Sequence, residues 1–415
     1  MIRIEVGGGK VIIADEGPGI PAEIVADILD FSVRVSSREA YVSPTRGAQG
    51  NALKTIVAMA FALDGTKGET TLIESRGVAH SISFQVDQVR QEPKVEYFQQ
   101  PSPVKIGTRV TVSWPVCACS KLDQAKSRFL QMAADYCWLN PHLTLTLTWE
   151  GQRVDYKASD PVWAKWRPYD PTSPHWYDEP RLRRLMGAYI ARDEDHGRPP
   201  RTVREFISEF RGLSGSAKQK LVLEEVGASR LSLPEYFGEG TNGHIGKLLA
   251  AMRKQSRPVK PVDLGLIGKD HLAAHFRASG VDLETFKYKR LIGETENGIP
   301  DVIEAAFGWC PDGENSRRII TGVNWSPAIE NPFRSLGAYG ESLDSILAEQ
   351  RSGRDEPIIF VLHLARPRIE YTDHGKTTVA LPGAYDGDVT MGVRLMGTAM
   401  RLRSMGAMMR VSPSG

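Results

Sequence analysis

Little in the composition of this chain points to a metal-rich, secreted or membrane protein. Its 415 residues include only four cysteines. These have no paired zinc spacing, and Cys117-Ala118-Cys119 would be half a site at most, so we interpret them as reduced thiols. No run of eighteen apolar residues occurs and no signal sequence precedes the first strand, which predicts a soluble cytoplasmic protein without a membrane span.

The charge and the periodicity of the sequence give a first indication of its organisation. A formal net charge of +2 means that any basic surface for nucleic acid must be local. The length suffices for two or three globular domains. Up to about residue 158, the patterns predict strands at 11–14, 70–74, 81–86, 109–112 and 143–149, and helices at 21–31, 54–63 and 123–134. Strands with helices on one face predict an α+β sandwich and not a dinucleotide-binding βαβ fold.

The most informative motif runs from Ile12 to Pro21 and reads Ile-Ile-Ala-Asp-Glu-Gly-Pro-Gly-Ile-Pro. An apolar strand brings Asp15 to the edge of a sheet, and Gly17 and Gly19 let the backbone turn tightly and approach a flat ligand. A carboxylate in such a pocket can accept a hydrogen bond from an exocyclic amine, which distinguishes adenine from guanine. Asp-x-Gly also forms ordinary turns, so the motif alone leaves both interpretations open.

A second motif, Thr-Arg-Gly-Ala-Gln-Gly-Asn-Ala-Leu-Lys at 45–54, leads into the apolar helical run 55–63. A glycine-rich loop that opens a helix gathers backbone N–H groups at the positive end of the helix dipole, which predicts a phosphate cradle. The spacing fits neither the P-loop nor the dinucleotide fingerprint. Further on, Gly107-Thr108 opens a predicted strand, and its hydroxyl could reach the same pocket.

These three motifs, in this order, resemble those of the GHKL ATPases, and the likeness to the B subunit of DNA topoisomerase VI is closer. The Ser36-Ser37 pair followed by Thr-Arg-Gly-x-x-Gly is similar to that family's pattern. Further similar segments follow in one order over nearly the whole chain, at 125–128, 140–142, 174–176, 203–210, 263–268, 357–364 and 371–376.

The resemblance implies an α+β fold. It comprises a GHKL (Bergerat) ATP-binding sandwich, a helical helix-two-turn-helix-like insert and a second α+β domain, the ribosomal S5-like transducer. It also implies ATP and Mg²⁺ as cofactors and Lys376 as the catalytic switch lysine that senses the γ-phosphate. The nucleotide-binding positions that it implies are Asp15, Gly17, Gly19, Ser36, Ser37, Arg46, Gly47, Gln49, Gly50, Asn51, Lys54 and Thr108.

Together, composition and resemblance predict five consecutive segments. They are an ATP-binding domain (1–158), a proline- and aromatic-rich strap (159–180), a helical domain (181–278), a transducer (279–388) and a C-terminal docking helix (389–415). We expect the strap aromatics to pack on their own domain rather than to stack on bases. The basic residues at 253–260 are equally consistent with phosphate contacts and with a solvated face. The methionine stripe of the last segment fits a docking surface or core packing equally well.

The sequence also departs from the family pattern. The family's catalytic Glu and its magnesium-holding Asn lie on a helix before the first strand, whereas this sequence begins on that strand. We expect an upstream start; the alternatives are a helix from another chain, or nucleotide binding without turnover. Ala52 replaces a third glycine of the phosphate loop, and no Trp-Lys-x-Tyr element occurs between 331 and 353, which weakens the expectation of DNA contact.

The predicted function is that of a topoisomerase VI B-like ATP-binding subunit, an ATPase by resemblance. ATP would drive the formation of a homodimer, which gates a topoisomerase VI A-like DNA-cleaving partner acting on duplex DNA. The alternative is a nucleotide-sensing regulatory or scaffold protein without ATP turnover, which acts with an A-like nuclease.

Overall fold

A computed structural model describes residues 1–29, 40–45, 51–65, 70–87, 89–90, 92–238, 244–294, 298–311, 316–334, 342–350, 352–372 and 377–380. The chain forms two compact units. Met1–Ser36 and Gly47–Trp163 make the first, and Ser37–Arg46 and Ala164–Gly415 make the second. The finer division into five segments stays a prediction.

An eight-stranded sheet forms the first unit. Its strands are β1 (Ile2–Gly7), β2 (Lys10–Asp15), β3 (Thr71–Ser75), β4 (Val78–Asp87), β5 (Glu92–Pro101), β6 (Thr108–Ser113), β7 (Leu145–Trp149) and β8 (Gln152–Tyr156). Their spatial order is β5-β4-β3-β6-β2-β1-β7-β8. All neighbours are antiparallel except β1 and β7, which are parallel.

Four described helices belong to this unit: α1 (Ala22–Ile28), α2 (Asn51–Asp64), α3 (Cys119–Gln124) and α4 (Lys126–Leu139). They pack on the sheet in two apolar clusters, one built around Ile73 and Val57 and the other around Leu147 and Cys137. The threonines of β7 alternate with its buried residues, as strict period-two patterning predicts. The expected sheet with helices is therefore confirmed for this unit.

The second unit begins with helices. They are α5 (Glu179–Asp195), α6 (Val203–Ser208), α7 (Ser216–Val226), α8 (Leu233–Gly238), α9 (His244–Gln255) and α10 (Lys269–Ala278). Side-chain caps mark the start of two of these helices. At α5, the Asp178 side chain accepts a hydrogen bond from the Arg181 amide. At α6, Thr202 and Glu205 form a capping box. Trp166, Trp176 and Tyr177 of the strap are at most 3% exposed, as expected for aromatics that pack on the protein. Tyr169 of the strap is 63% exposed and does not follow this expectation.

A five-stranded sheet follows in the second unit. Its strands are β9 (Asp282–Glu294), β10 (Pro300–Trp309), β11 (Arg318–Val323), β12 (Ser326–Pro327) and β13 (Ile358–Ala365), in the order β12-β11-β13-β10-β9. Helix α11 (Leu343–Glu349) packs on one face, and β14 (Glu370–Tyr371) pairs with β15 (Val379–Ala380). Every residue of β13 is buried, as its continuous apolar run predicts. The α+β class is thus confirmed for both units.

Some predicted elements differ from the structure. Helix α2 begins at Asn51, ahead of the predicted residue 54, and the predicted helix 123–134 belongs to two helices separated at Ala125. Strands β5 and β8 are missing from the prediction because both are edges of the sheet and most of their residues are exposed. Among the described residues, no helix is long and apolar enough to cross a membrane.

Candidate functional site

Three polar side chains lie side by side at one end of the eight-stranded sheet. In the strand register, Asp15 of β2 faces Thr108 of β6, and Thr108 faces Ser75 of β3. Residues that face each other across neighbouring strands point to the same side of a sheet. Ile73 and Val110, two positions along from Ser75 and Thr108, pack in the cluster under α1 and α2. The three polar residues, called the polar rung below, therefore lie on the helix-covered face.

The Asp15 carboxylate is half-buried and held in a fixed orientation. Its Oδ1 accepts a hydrogen bond from the Gly17 amide at 2.6 Å, which closes an Asx turn at the end of the strand. Within the described part of the chain, Oδ2 receives no hydrogen bond. The turn thus leaves one carboxylate oxygen as an acceptor beside Thr108, as recognition of an exocyclic amine requires.

Two glycines at this end of the sheet meet strict backbone requirements. Gly107 has φ +77°, and a Cβ there would lie 1.9 Å from the Asp15 carbonyl oxygen. Gly19 has φ +75°, and its Cβ would lie 2.7 Å from Ser75 Oγ. Left-handed backbone and close approach both exclude a side chain. The two turns are thereby packed directly against the polar rung.

Ser75 was not singled out from the sequence, yet it joins the two glycine turns. Its side chain is buried, at 1% exposure. The hydroxyl accepts from the Ile20 amide at 2.8 Å, donates to the Gly107 carbonyl at 2.9 Å and lies 3.3 Å from Thr108 Oγ1. The predicted strand ended one residue too early; extending its period of two from Ile73 would have placed Ser75 on the core face.

The structure places only part of the predicted site. Asp15, Gly17, Gly19 and Thr108 come together, whereas Asn51 and Lys54 lie in the first turn of α2. Ala52, next to Asn51, is exposed. The remaining predicted site residues lie outside the described residues: Ser36, Ser37, Arg46, Gly47, Gln49, Gly50 and Lys376.

The second unit contains a buried carboxylate that the sequence analysis did not identify. Glu304 of β10 is fully buried and accepts from the Ile267 and Gly268 amides at 2.8 and 2.9 Å and from the Tyr288 hydroxyl at 2.6 Å. His363 Nδ1 lies 3.6 Å from the same carboxylate. Burial opposes ionisation, but the His363 imidazole, the Tyr288 hydroxyl and the Gly268 amide outweigh it and lower the pKa of Glu304.

A lysine of the strap lies against the same region. His363 Nε2 accepts from the Trp325 amide at 3.1 Å, and Lys165 Nζ lies 5.4 Å from the centre of the Trp325 ring. Burial lowers the pKa of Lys165 to about 8. Gly265 packs directly against the backbone of Lys165, because a Cβ on Gly265 would lie 2.8 Å from Lys165 Cα. These contacts fix the strap beside the five-stranded sheet within the second unit.

Within the described ranges, no group of three or more His, Cys, Asp or Glu side chains could hold a metal ion. Cys117, predicted as half of a possible site at most, donates to Asp64 Oδ1 at 3.2 Å. Burial raises the pKa of the Cys137 thiol to about 12, which keeps it protonated and unreactive at neutral pH.

Comparison with known proteins gives one curated relative, the B subunit of a type 2 DNA topoisomerase 6 from Archaeoglobus fulgidus. The chain is 24% identical to it over 398 residues, covering 89% of this chain and 60% of the relative. The chain thus spans less than two thirds of the relative's length. No family model matches the chain.

Three solved structures are similar over most of their lengths. The N-terminal domain of a DNA repair protein has 11% identity and a TM-score of 0.44, over 98% of this chain and 90% of that one. The DNA gyrase B-subunit from Myxococcus xanthus has 12% identity and a TM-score of 0.38, over 97% and 87%.

The third structure is the ADP-bound MutL ATPase domain of Aquifex aeolicus, with 11% identity and a TM-score of 0.34, over 95% of this chain and 88% of that one. These structural likenesses are too loose to assign a ligand. The sequence comparison is the more specific one and agrees with the motifs: the chain resembles the B subunit of DNA topoisomerase VI.

Proposed function

We propose that the chain is an adenine-nucleotide-binding subunit of a DNA-processing enzyme, with ATP as its ligand and the polar rung as its adenine site. The observation that carries the proposal is the Asp15 carboxylate. Oδ1 is fixed by the Gly17 amide, so Oδ2 is oriented to accept a hydrogen bond from the exocyclic amine of adenine. The likeness to the curated topoisomerase relative supports this assignment.

The phosphates would lie at the glycine-rich loop 46–50 and the first turn of α2. Backbone amides at a helix start attract anions, and Lys54 lies in that turn. Ser36 and Ser37 are proposed as further nucleotide contacts, and Lys376 as the residue that senses the terminal phosphate. The proposal for these residues depends on the family resemblance.

The resemblance also supports a function beyond nucleotide binding. We propose ATP-driven formation of a homodimer that controls a DNA-cleaving partner on duplex DNA, in the cytoplasm. A ligand drives such a change only through a higher affinity for one state, here the closed dimer. Magnesium would accompany ATP, but the described residues contain no cluster suited to a metal, and we assign no magnesium ligand.

Calorimetric titration with ATP tests the adenine site. Asp15→Asn keeps the side-chain oxygen that closes the Asx turn but places an N–H₂ donor where the adenine amine would bind. An unsatisfied pair of this kind costs about 1–3 kcal/mol, so we expect the Kd for ATP to rise by about five- to 150-fold. The measurement concerns binding alone and does not depend on hydrolysis.

The neighbouring carboxylate provides a matched control. Glu16 is exposed and pairs with Arg3 at 2.9 Å, outside the polar rung. Glu16→Gln should leave ATP affinity within about twofold of the wild-type value, as surface changes usually do. If Asp15→Asn binds ATP as tightly as Glu16→Gln, the adenine site does not lie at Asp15.

A further inference from the structure

The hydrogen-bond directions at the polar rung are determined by Ser75. A serine hydroxyl has one proton to donate and two lone pairs to accept with. The Gly107 carbonyl, 2.9 Å away, can only accept, so it takes the Ser75 proton. The Ile20 amide donates to Ser75 at 2.8 Å. One lone pair of Ser75 remains for Thr108.

These hydrogen bonds of Ser75 determine whether the Thr108 hydroxyl can donate to a ligand or only accept from it. The two hydroxyl oxygens lie 3.3 Å apart, and since the Ser75 proton is engaged, Thr108 is the donor in this pair. The Thr108 oxygen then has only lone pairs left for any other contact. Thr108 faces Asp15 across the strands, and a carboxylate is likewise an acceptor when ionised.

We infer that Ser75 is a positioning residue that leaves the polar rung able only to accept hydrogen bonds from a ligand. The polar rung then selects purine nucleotides with an amino group at C6 over those with a keto group at C6. The inference rests on the proposed adenine site and adds the residue that sets its base specificity. An amino group donates to such a rung, whereas a keto oxygen would face acceptors alone and lose its hydrogen bonds.

Removal of the Ser75 hydroxyl should release this constraint. In Ser75→Ala the Thr108 hydroxyl loses its acceptor and becomes able to donate to a keto oxygen. The polar rung would then tolerate both kinds of base. The ratio of affinities for ADP and inosine diphosphate therefore reports on the role of Ser75, because the two ligands share their ribose and phosphates and differ at the base.

The experiment is calorimetric titration of the full chain with ADP and with inosine diphosphate. We expect the wild type to prefer ADP by at least about tenfold, the effect of one hydrogen bond, and Ser75→Ala to reduce that preference severalfold. In a Thr108→Val background, Ser75→Ala should leave the ratio unchanged, because the hydroxyl on which it acts is gone. Circular dichroism establishes that each variant is folded.

A second buried serine separates specificity from stability. Ser102 donates a hydrogen bond to Glu74 Oε1 at 2.9 Å and accepts one from the Val104 amide at 3.1 Å. Glu74 precedes Ser75 in β3, so its side chain points to the opposite face of the sheet. Ser102→Ala should keep the wild-type ratio. Equal weakening of both nucleotides by Ser75→Ala would overturn the inference and make Ser75 a structural residue only. A wild type that binds neither nucleotide would instead refute the proposed function.

Discussion

Replacement of Glu304 by glutamine should destabilise the second unit by an amount that its contacts allow us to work out. Oε2 accepts from the Ile267 amide and Oε1 from the Gly268 amide and the Tyr288 hydroxyl. The glutamine N–H₂ is best placed at Oε1, where Tyr288 can rotate its hydroxyl to accept. The Gly268 amide then has no acceptor, at a cost of about 1–3 kcal/mol.

The remaining contacts of Glu304 lose strength as well. Hydrogen bonds to a charged group contribute about 1.5–3 kcal/mol, against about 1 kcal/mol for neutral pairs, so the Ile267 contact weakens by roughly 1 kcal/mol. The total loss for Glu304→Gln is therefore about 2–4 kcal/mol. Amide hydrogen exchange followed by mass spectrometry should show faster exchange in the peptide that contains Ile267 and Gly268.

An exposed glutamate provides the control for this prediction. Glu294 ends β9 and is exposed, so Glu294→Gln should change local stability by less than about 0.5 kcal/mol. If exchange at Ile267 and Gly268 is the same in both variants, the Glu304 carboxylate does not hold this segment and the reasoning is wrong.

Two further predictions concern a glycine and the buried lysine. Gly107→Ala should lower the free energy of unfolding in denaturant by more than about 3 kcal/mol, because its Cβ would lie 1.9 Å from the Asp15 carbonyl oxygen. Gly151 has φ +78° and open space around it, so Gly151→Ala should lower that free energy by about 1–2 kcal/mol. Equal losses of stability in the two variants would contradict the close approach at Gly107. Burial lowers the pKa of Lys165 from 10.5 to about 8 in the folded chain. Between pH 8 and pH 10.5 the unfolded chain therefore binds more protons than the folded chain. The free energy of unfolding should rise by about 1–3 kcal/mol over this pH range. Lys165→Met should lack this rise, and parallel pH profiles for the two proteins would show that the lysine is solvated.

The parts of the site that the sequence predicted are those encoded over a few residues. Asp15, Gly17 and Gly19 lie within one turn, and a strand that opens with Gly107-Thr108 is a local signal as well. The alternation of β3 places Ser75 on the core face but does not reveal its contacts, because its partners Ile20 and Gly107 lie 55 and 32 positions away in sequence. Only the strand register, which pairs β2, β6 and β3, brings these residues together.

The same reason explains what was missed in the second unit. The apolar run of β13 predicted a strand buried on both faces, but Glu304 of β10 gave no sign that its carboxylate would accept amides 36 and 37 residues earlier. The start of α2 was predicted late because its first residues, Asn51 and Ala52, show no apolar periodicity, although they are helical in the structure.

The Glu304 contacts also have a consequence for how the second unit folds. Helix α10 begins after Gly268, which offers no side-chain cap of its own. The carboxylate that accepts the Gly268 amide comes from the middle of β10, so this helix start is stabilised by a residue of the sheet. We therefore expect formation of the helix and pairing of the strand to be cooperative. This hydrogen bond crosses residue 278, the predicted boundary between the helical domain and the transducer, and links the start of a helix on one side of that boundary to a strand on the other side.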